Sequence, residues 1–130
     1  MRDIKFRAWD KSVKTMCDVG EIHFCHGGIK AFGPGVNLGN GWVTECNEQK
    51  NHCDVILMQY TGMSDKNGKD IYEGDIMGGG AFPSQSVSFH NGAFGFHSSS
   101  QGHSQINQDR ATRLEVIGNI YESPELLEVE

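Results

Sequence analysis

The chain is expected to be mainly β, with an N-terminal β-meander lobe, a C-terminal lobe of small-barrel type and a short helical turn at its end. Three observations predict this class. Apolar residues alternate at period two in short runs, as in Ile4-Lys-Phe-Arg-Ala-Trp9 and on both sides of Asn91-Gly92. Seventeen glycines against three prolines punctuate those runs at intervals suited to strands and turns, not to a helical bundle. At 130 residues the chain has the size of one domain, so a single unit over 1–130 is expected, with sub-lobes of about 1–60 and 61–130.

In the first strand Ile4, Phe6 and Ala8 share one face, and Asp10-Lys-Ser-Val-Lys14 is its turn. The return through Thr15-Met-Cys-Asp-Val19 and on into Ile22-His-Phe-Cys25 extends the meander. Gly27 to Gly41 is glycine-rich and contains Pro34, and reads as loop with one short strand around Ile29 to Phe32. Asp54-Val-Ile-Leu-Met-Gln-Tyr60 is the most apolar run, suits a buried strand, and is taken as the hinge between the lobes.

Beyond the hinge, Ser64-Asp-Lys-Asn-Gly-Lys69 holds a turn pair, and Ile71 to Met77 is followed by a break at Gly78-Gly-Gly80. Val87 to His90, Asn91-Gly92 and Ala93 to Phe96 form a hairpin, for which an Asn-Gly pair between alternating runs is the strongest short-range signal. The polar stretch Ser98 to Asp109 reads as a mobile loop. Leu114 to Ile120 is the last strand, and Ser123-Pro124-Glu125 places a capping serine before proline at the first position of a short helical turn. Tyr72-Glu-Gly-Asp-Ile-Met77 followed by the hairpin resembles the strand order of SH3-like small barrels, in which Gly74 lets the chain bend and Asp75 accepts backbone N–H bonds.

The net charge is −6, with an acidic end carrying Glu115, Glu122, Glu125, Glu128 and Glu130. Against this, Arg2, Lys5, Arg7, Lys11 and Lys14 could form a local basic face, most simply a solvated one. No run approaches the roughly 20 apolar residues of a membrane span, and charges interrupt any leader-like run at the start, so a cytoplasmic protein without membrane association is expected. In that compartment four cysteines do not signify disulfides.

Five blocks together resemble the YopX family of phage and prophage proteins. They are Ile4-Lys-Phe-Arg-Ala-Trp-Asp10, Leu57-Met-Gln-Tyr-Thr-Gly62, Asp65-Lys-Asn-Gly-Lys-Asp-Ile-Tyr-Glu-Gly-Asp75, Ile76 directly after it, and Val116-Ile-Gly-Asn-Ile-Tyr-Glu-Ser-Pro-Glu-Leu-Leu127. The resemblance implies a phage or prophage origin, a mainly β architecture with a barrel-like C-terminal lobe, and self-assembly; it implies no reaction. The Cys- and His-rich stretch Cys17 to Cys53 and the glycines 78–80 depart from that pattern.

Cys17, His23, Cys25, His26, Cys46, His52 and Cys53 are the ligand types tetrahedral zinc prefers. Their spacing opposes a site, because no C-x-x-C occurs and the adjacent pairs Cys25-His26 and His52-Cys53 point to opposite faces of a strand. His23 and Cys25 could share a face for nucleophilic chemistry, but no third member is marked. Gly33-Pro-Gly-Val-Asn-Leu-Gly39 is one residue too long for a dinucleotide fingerprint and has proline where an N–H is needed. Asp70, Glu73 and Asp75 could run acid–base chemistry or bind a divalent cation, though solvated turn residues beside Lys66 and Lys69 are the simpler expectation. His90, His97 and His103 surround the hairpin without an evident pair. Trp9, Trp42, Phe82, Phe94, Phe96 and Tyr72 are candidates for a recognition surface if they are not core.

The expectation is therefore no catalytic set and no cofactor or metal. The favoured class is a noncatalytic binding or assembly protein; the alternatives are a nucleic-acid-associated accessory protein using the basic strand and exposed aromatics, or a zinc-stabilised module. A homo-oligomer is expected because Val55 to Met58 and Leu114 to Ile120 carry few charges and no proline with which to protect a strand edge, and because Leu126 and Leu127 lack an evident home. Binding to duplex DNA at physiological salt is expected to be weak, since a net charge of −6 opposes phosphate neutralisation. A salt titration checks this: submicromolar, sequence-independent binding with steep salt dependence would contradict it.

Overall fold

The computed structural model describes residues 3–11, 14–25, 28–32, 42–43, 55–79, 82–98 and 102–127, and within them the chain is mainly β. It divides into two compact units, Lys5–Met58 and a second that joins Met1–Ile4 to Gln59–Glu130.

In the first unit β1 (Phe6–Asp10) pairs antiparallel with β2 (Thr15–Asp18), which sets Arg7 opposite Asp18 and Trp9 opposite Met16. Ala8 and Trp9 are adjacent in the strand and both buried, so β1 is covered on both faces. That is why its alternation is imperfect: Ile4, expected on the inner face, precedes the strand and is exposed. The meander does not continue past Gly20. Instead β3 (Glu21–Cys25), β4 (Gly28–Phe32) and β5 (Trp42–Val43) form a separate three-stranded sheet. Among the described residues of this unit, Ala8, Trp9, Ala31, Val55 and Met58 are the buried apolar ones.

β6 (Val55–Ser64) starts in the first unit and ends in the second, where it pairs with β7 (Asp70–Tyr72) and sets Tyr60 opposite Tyr72. The strand order β2-β1-β6-β7 makes β6 an interior strand. The registered pairs with β7 fall at Tyr60 and Ser64, beyond the apolar run Val55 to Met58, of which Val55 and Met58 are buried.

The second unit holds a five-stranded antiparallel sheet, curled into a half-barrel. Its strands are β8 (Asp75–Gly79), β9 (Phe82–His90), β10 (Ala93–Ser98), β11 (Gly102–Gln105) and β12 (Glu115–Asn119), in the order β11-β10-β9-β8-β12. The hairpin between β9 and β10 turns at Asn91-Gly92, both with positive φ, as a two-residue turn of type I′ requires. Ile71, Met77, Val87, Phe96, Ile106, Ala111 and Leu114 form the core. A 3-10 turn, Pro124–Leu127, follows β12.

Two expectations need correction. The run from Ser98 to Asp109 is not a loop throughout, because β11 pairs with β10 and the short helix α1 (Gln108–Ala111) follows, capped by the Asn107 side chain on the Arg110 N–H at 2.8 Å. Ile106 is the apolar anchor of that segment; it is buried, and its N–H donates to the Phe94 carbonyl. The expected break at Gly78 also lies inside β8. There Gly78 pairs with Glu115 and admits Ile117, whose Cδ1 would lie 3.0 Å from a Cβ at that position. Leu126 has a home in its own chain: a Cβ on Gly118 would fall 2.9 Å from its Cδ1.

One carboxylate holds the turn between β6 and β7 to the start of β12. Asp65 Oδ1 accepts the N–H groups of Asn67 and Lys69, each at 2.9 Å, and Oδ2 accepts that of Val116 at 2.9 Å. The Lys66 N–H donates in turn to the Leu114 carbonyl. Asp65 is only 4% exposed, and burial alone would raise its carboxyl. The Val116, Lys69 and Asn67 amides and the Lys69 charge outweigh that effect and hold it below the ordinary value. Asp65→Ala is expected to cost about 1–3 kcal/mol in denaturant unfolding, because it removes a charged acceptor from three part-buried N–H groups. The folded value lies below the unfolded one of about 3.9. The stabilisation is therefore present above that pH and is lost as pH falls through the folded value, and Asp65→Ala should flatten this acid limb.

Candidate functional site

Of the carboxylates singled out for acid–base or cation chemistry, Asp75 and Glu73 accept backbone N–H groups. Asp75 is 1% exposed, and its Oδ2 accepts the Tyr72 N–H at 2.8 Å across the turn that Gly74 makes at φ +85°. Glu73 Oε1 accepts the Gln59 N–H at 2.9 Å, while its own N–H donates to the Gln59 carbonyl. Gly74 donates to the Val87 carbonyl and accepts from the Ile120 N–H, so the turn is bonded to β9 and to the end of β12. Asp70 is half-buried opposite Ser64. These groups are not the solvated turn residues expected, because each strand end in a tight turn leaves N–H groups that need acceptors.

The Cys/His candidates are not brought together among the described residues. Cys17 is half-buried on β2 and donates weakly to the Thr15 carbonyl at 3.7 Å; burial, then Asp10 and Asp18, push its thiol up and away from the reactive thiolate. His23 is exposed and bonded to Glu21 at 3.2 Å. Cys25 belongs to β3, but its side chain, with His26, Cys46, His52 and Cys53, lies outside the described residues. No group of three or more His, Cys, Asp or Glu among the described residues could hold a metal ion.

Of the aromatic candidates, Trp9 and Phe96 are buried, Tyr72 and Phe94 half-buried, and the side chains of Trp42 and Phe82 outside the described residues. Among the described residues the exposed Phe, Trp and Tyr side chains are two that sequence reasoning passed over: Phe24, 82% exposed in the first unit, and Phe89, 54% exposed in the second. Alternation puts Phe89 on the core face with Val87, but it stands at the hairpin end of β9, where the Phe94 ring packs against it edge-to-face at 5.0 Å. The position beside Asn91-Gly92 was the available signal.

The opposite face of β9, β10 and β11 is uncharged and polar. By register, Ser86, Ser88 and His90 share it with Gly95, His97, His103 and Gln105. The expectation that His90 and His97 are apart holds, since they face Ala93 and Ser86 respectively. What sequence reasoning missed is the approach of His103 to His90, made by leaning across Gly95 from β11. Its ring centre lies 5.1 Å from that of His90, and its Nδ1 lies 3.3 Å from Ser88 Oγ. On the other face the Arg110 guanidinium sits 4.9 Å over the Phe96 ring and bonds Ser104 and Gln105.

A small two-unit β scaffold, with an exposed aromatic hairpin tip and a histidine-bearing sheet face, defines the class. The YopX protein family profile matches residues 5–128, and the chain belongs to that family. Protein EF1440 from Enterococcus faecalis has a similar crystal structure, with 26% sequence identity, a TM-score of 0.62 and coverage of 98% of this chain and 99% of that one. Protein yopX from Bacillus subtilis shares the fold at 21% identity and a TM-score of 0.64, with 100% and 99% covered. No curated protein matches the chain by sequence.

At Gly95 a Cβ would collide with the His103 ring and the Ser104 carbonyl. Gly95→Ala is expected to lower stability by about 1–3 kcal/mol and to reduce amide protection selectively in β10 and β11, as read by hydrogen exchange. Uniform protection across the sheet would contradict this geometry.

Proposed function

We propose that the protein is a noncatalytic binding or assembly protein of phage or prophage origin, acting in the cytoplasm of a host cell and associating with copies of itself. The observation that carries the reading is Phe89, a large apolar side chain 54% exposed at the tip of a hairpin and steadied by Phe94. An aromatic anchor on a rigid element contributes contact area at little entropic cost, which suits a protein interface. The inward use of Asp65, Glu73 and Asp75 supports a binding role over a catalytic one, since the acidic residues of the signature segment are engaged with the backbone. The edge argument for self-association now rests on β12 and β11, the outer strands of the five-stranded sheet. Docking of the Pro124 to Leu127 segment on a neighbour is not needed to shelter Leu126. The basic strand gives little support to a nucleic-acid role, because Arg7 stands opposite Asp18.

Light scattering at micromolar concentration tests the assembly reading. The expected mass exceeds the 14.4 kDa of one chain and falls on dilution, and Phe89→Ser shifts the equilibrium toward monomer without changing the fold. A constant 14.4 kDa for the unaltered protein would refute self-association.

A further inference from the structure

We propose that His103 is a proton-operated latch on β11: a neutral ring keeps the strand paired to β10, and protonation releases it, whether or not copies of the chain associate. His103 Nε2 is wholly buried and has no hydrogen-bond partner, whereas Nδ1 lies 3.3 Å from Ser88 Oγ. A neutral ring suits this setting, with its proton on Nδ1 donated to the serine and a lone pair left at Nε2. The imidazolium carries an N–H on both nitrogens. Its second donor would be charged, buried and without an acceptor, the most costly kind of unmade hydrogen bond.

The surroundings offer the charged ring no relief in place. It lies over Gly95, so close that a Cβ there would collide with Nε2. The titratable groups that face it are His90 from β9, whose ring centre is 5.1 Å away, and His97 from β10, its register partner. Both can only add positive charge as pH falls. The whole run from Ile76 to Gln108 contains no Asp, Glu, Lys or Arg, so no carboxylate lies on β9, β10 or β11. From α1, Arg110 bonds Ser104 and sits over Phe96 on the opposite face, and Asp109 is paired with Arg113. An imidazolium at this position finds neither acceptor nor counter-charge until the ring leaves Gly95 for water.

β11 is a strand that such a charge can move. It is four residues long, stands at the edge of the sheet and pairs only with β10. Its side chains are small or polar, and the buried Ile106 lies just beyond it. The bond from the Ile106 N–H to the Phe94 carbonyl sets the phase of the ladder, so Phe96 and Ser104, paired two residues further along, exchange N–H bonds between the strands. Release of β11 frees those two amides. A histidine free in water changes charge near about pH 6.5. The latch therefore holds above that pH, where the ring is neutral, and yields as pH falls below it.

Hydrogen exchange of the full chain, expressed as protection relative to unstructured peptide at about pH 7.5 and about pH 5, tests the latch. The Phe96 and Ser104 amides are expected to lose protection at least about tenfold at the lower pH, while the amides shared by β8 and β9 stay within about threefold. Asp65 does not contribute to the change, since its carboxyl is held below the ordinary aspartate value. His103→Gln, which carries no titrating ring, should abolish the loss; His90→Ala and His97→Ala, which alter exposed side chains, should keep it. In the parent, the His103 ring nitrogens followed by NMR should become protonated on the same midpoint as the loss of protection, a readout that does not depend on His103→Gln folding. Phe96 and Ser104 protection that is unchanged at the lower pH would overturn the proposal. So would an equal loss in His103→Gln, disappearance of the loss in His90→Ala or His97→Ala, or a charged His103 ring while both amides stay protected.

Discussion

Backbone amides in the segment from Asp65 to Asp75 are bonded to carboxylates that point inward, and the two strand systems on either side meet through those bonds. Asp65 takes amides from its own turn and from Val116, and Asp75 takes one from Tyr72. Remove these acceptors and amides in the turn between β6 and β7, at the bend into β8 and at the start of β12 all lose the bonds that hold them. The core that Ile71, Met77 and Leu114 share is assembled from those same three pieces of chain. Buried carboxylates are costly unless fully bonded, and here the bonding to peptide amides is what makes them tolerable.

A segment rich in Asp, Glu, Lys and Gly looks like acid–base or cation chemistry when read as a string. In three dimensions its acids substitute for missing ladder partners, and Gly74 supplies the positive φ that the bend demands. The residues that define the resemblance thus specify a fold. Outside the signature, the described residues of the second unit present an exposed aromatic hairpin tip and a polar, histidine-bearing sheet face.

The period-two runs and the Asn91-Gly92 pair made most of the second unit legible from sequence, as did the Ser123-Pro124 cap. β11 was missed because its residues are all small or polar and its anchor, Ile106, lies just beyond it. The register of β10 on β11 was equally hidden, and with it the approach of His103 to His90, since residues 13 apart in sequence meet only through a third strand that a glycine leaves bare. Phe89 was passed over for the opposite reason: alternation assigns a face but not whether the sheet opposite extends far enough to cover it. In the first unit, burial of β1 on both faces blurred the pattern that would have marked its neighbours.

The account rests on Asp65 as an ionised, inward acceptor, and its titration followed by NMR tests that most directly. The Asp65 carboxyl is expected to titrate below the ordinary aspartate range, with the Asn67, Lys69 and Val116 amide shifts moving on the same midpoint. An Asp65 that titrates at the ordinary value, with those three amides unresponsive, would contradict it.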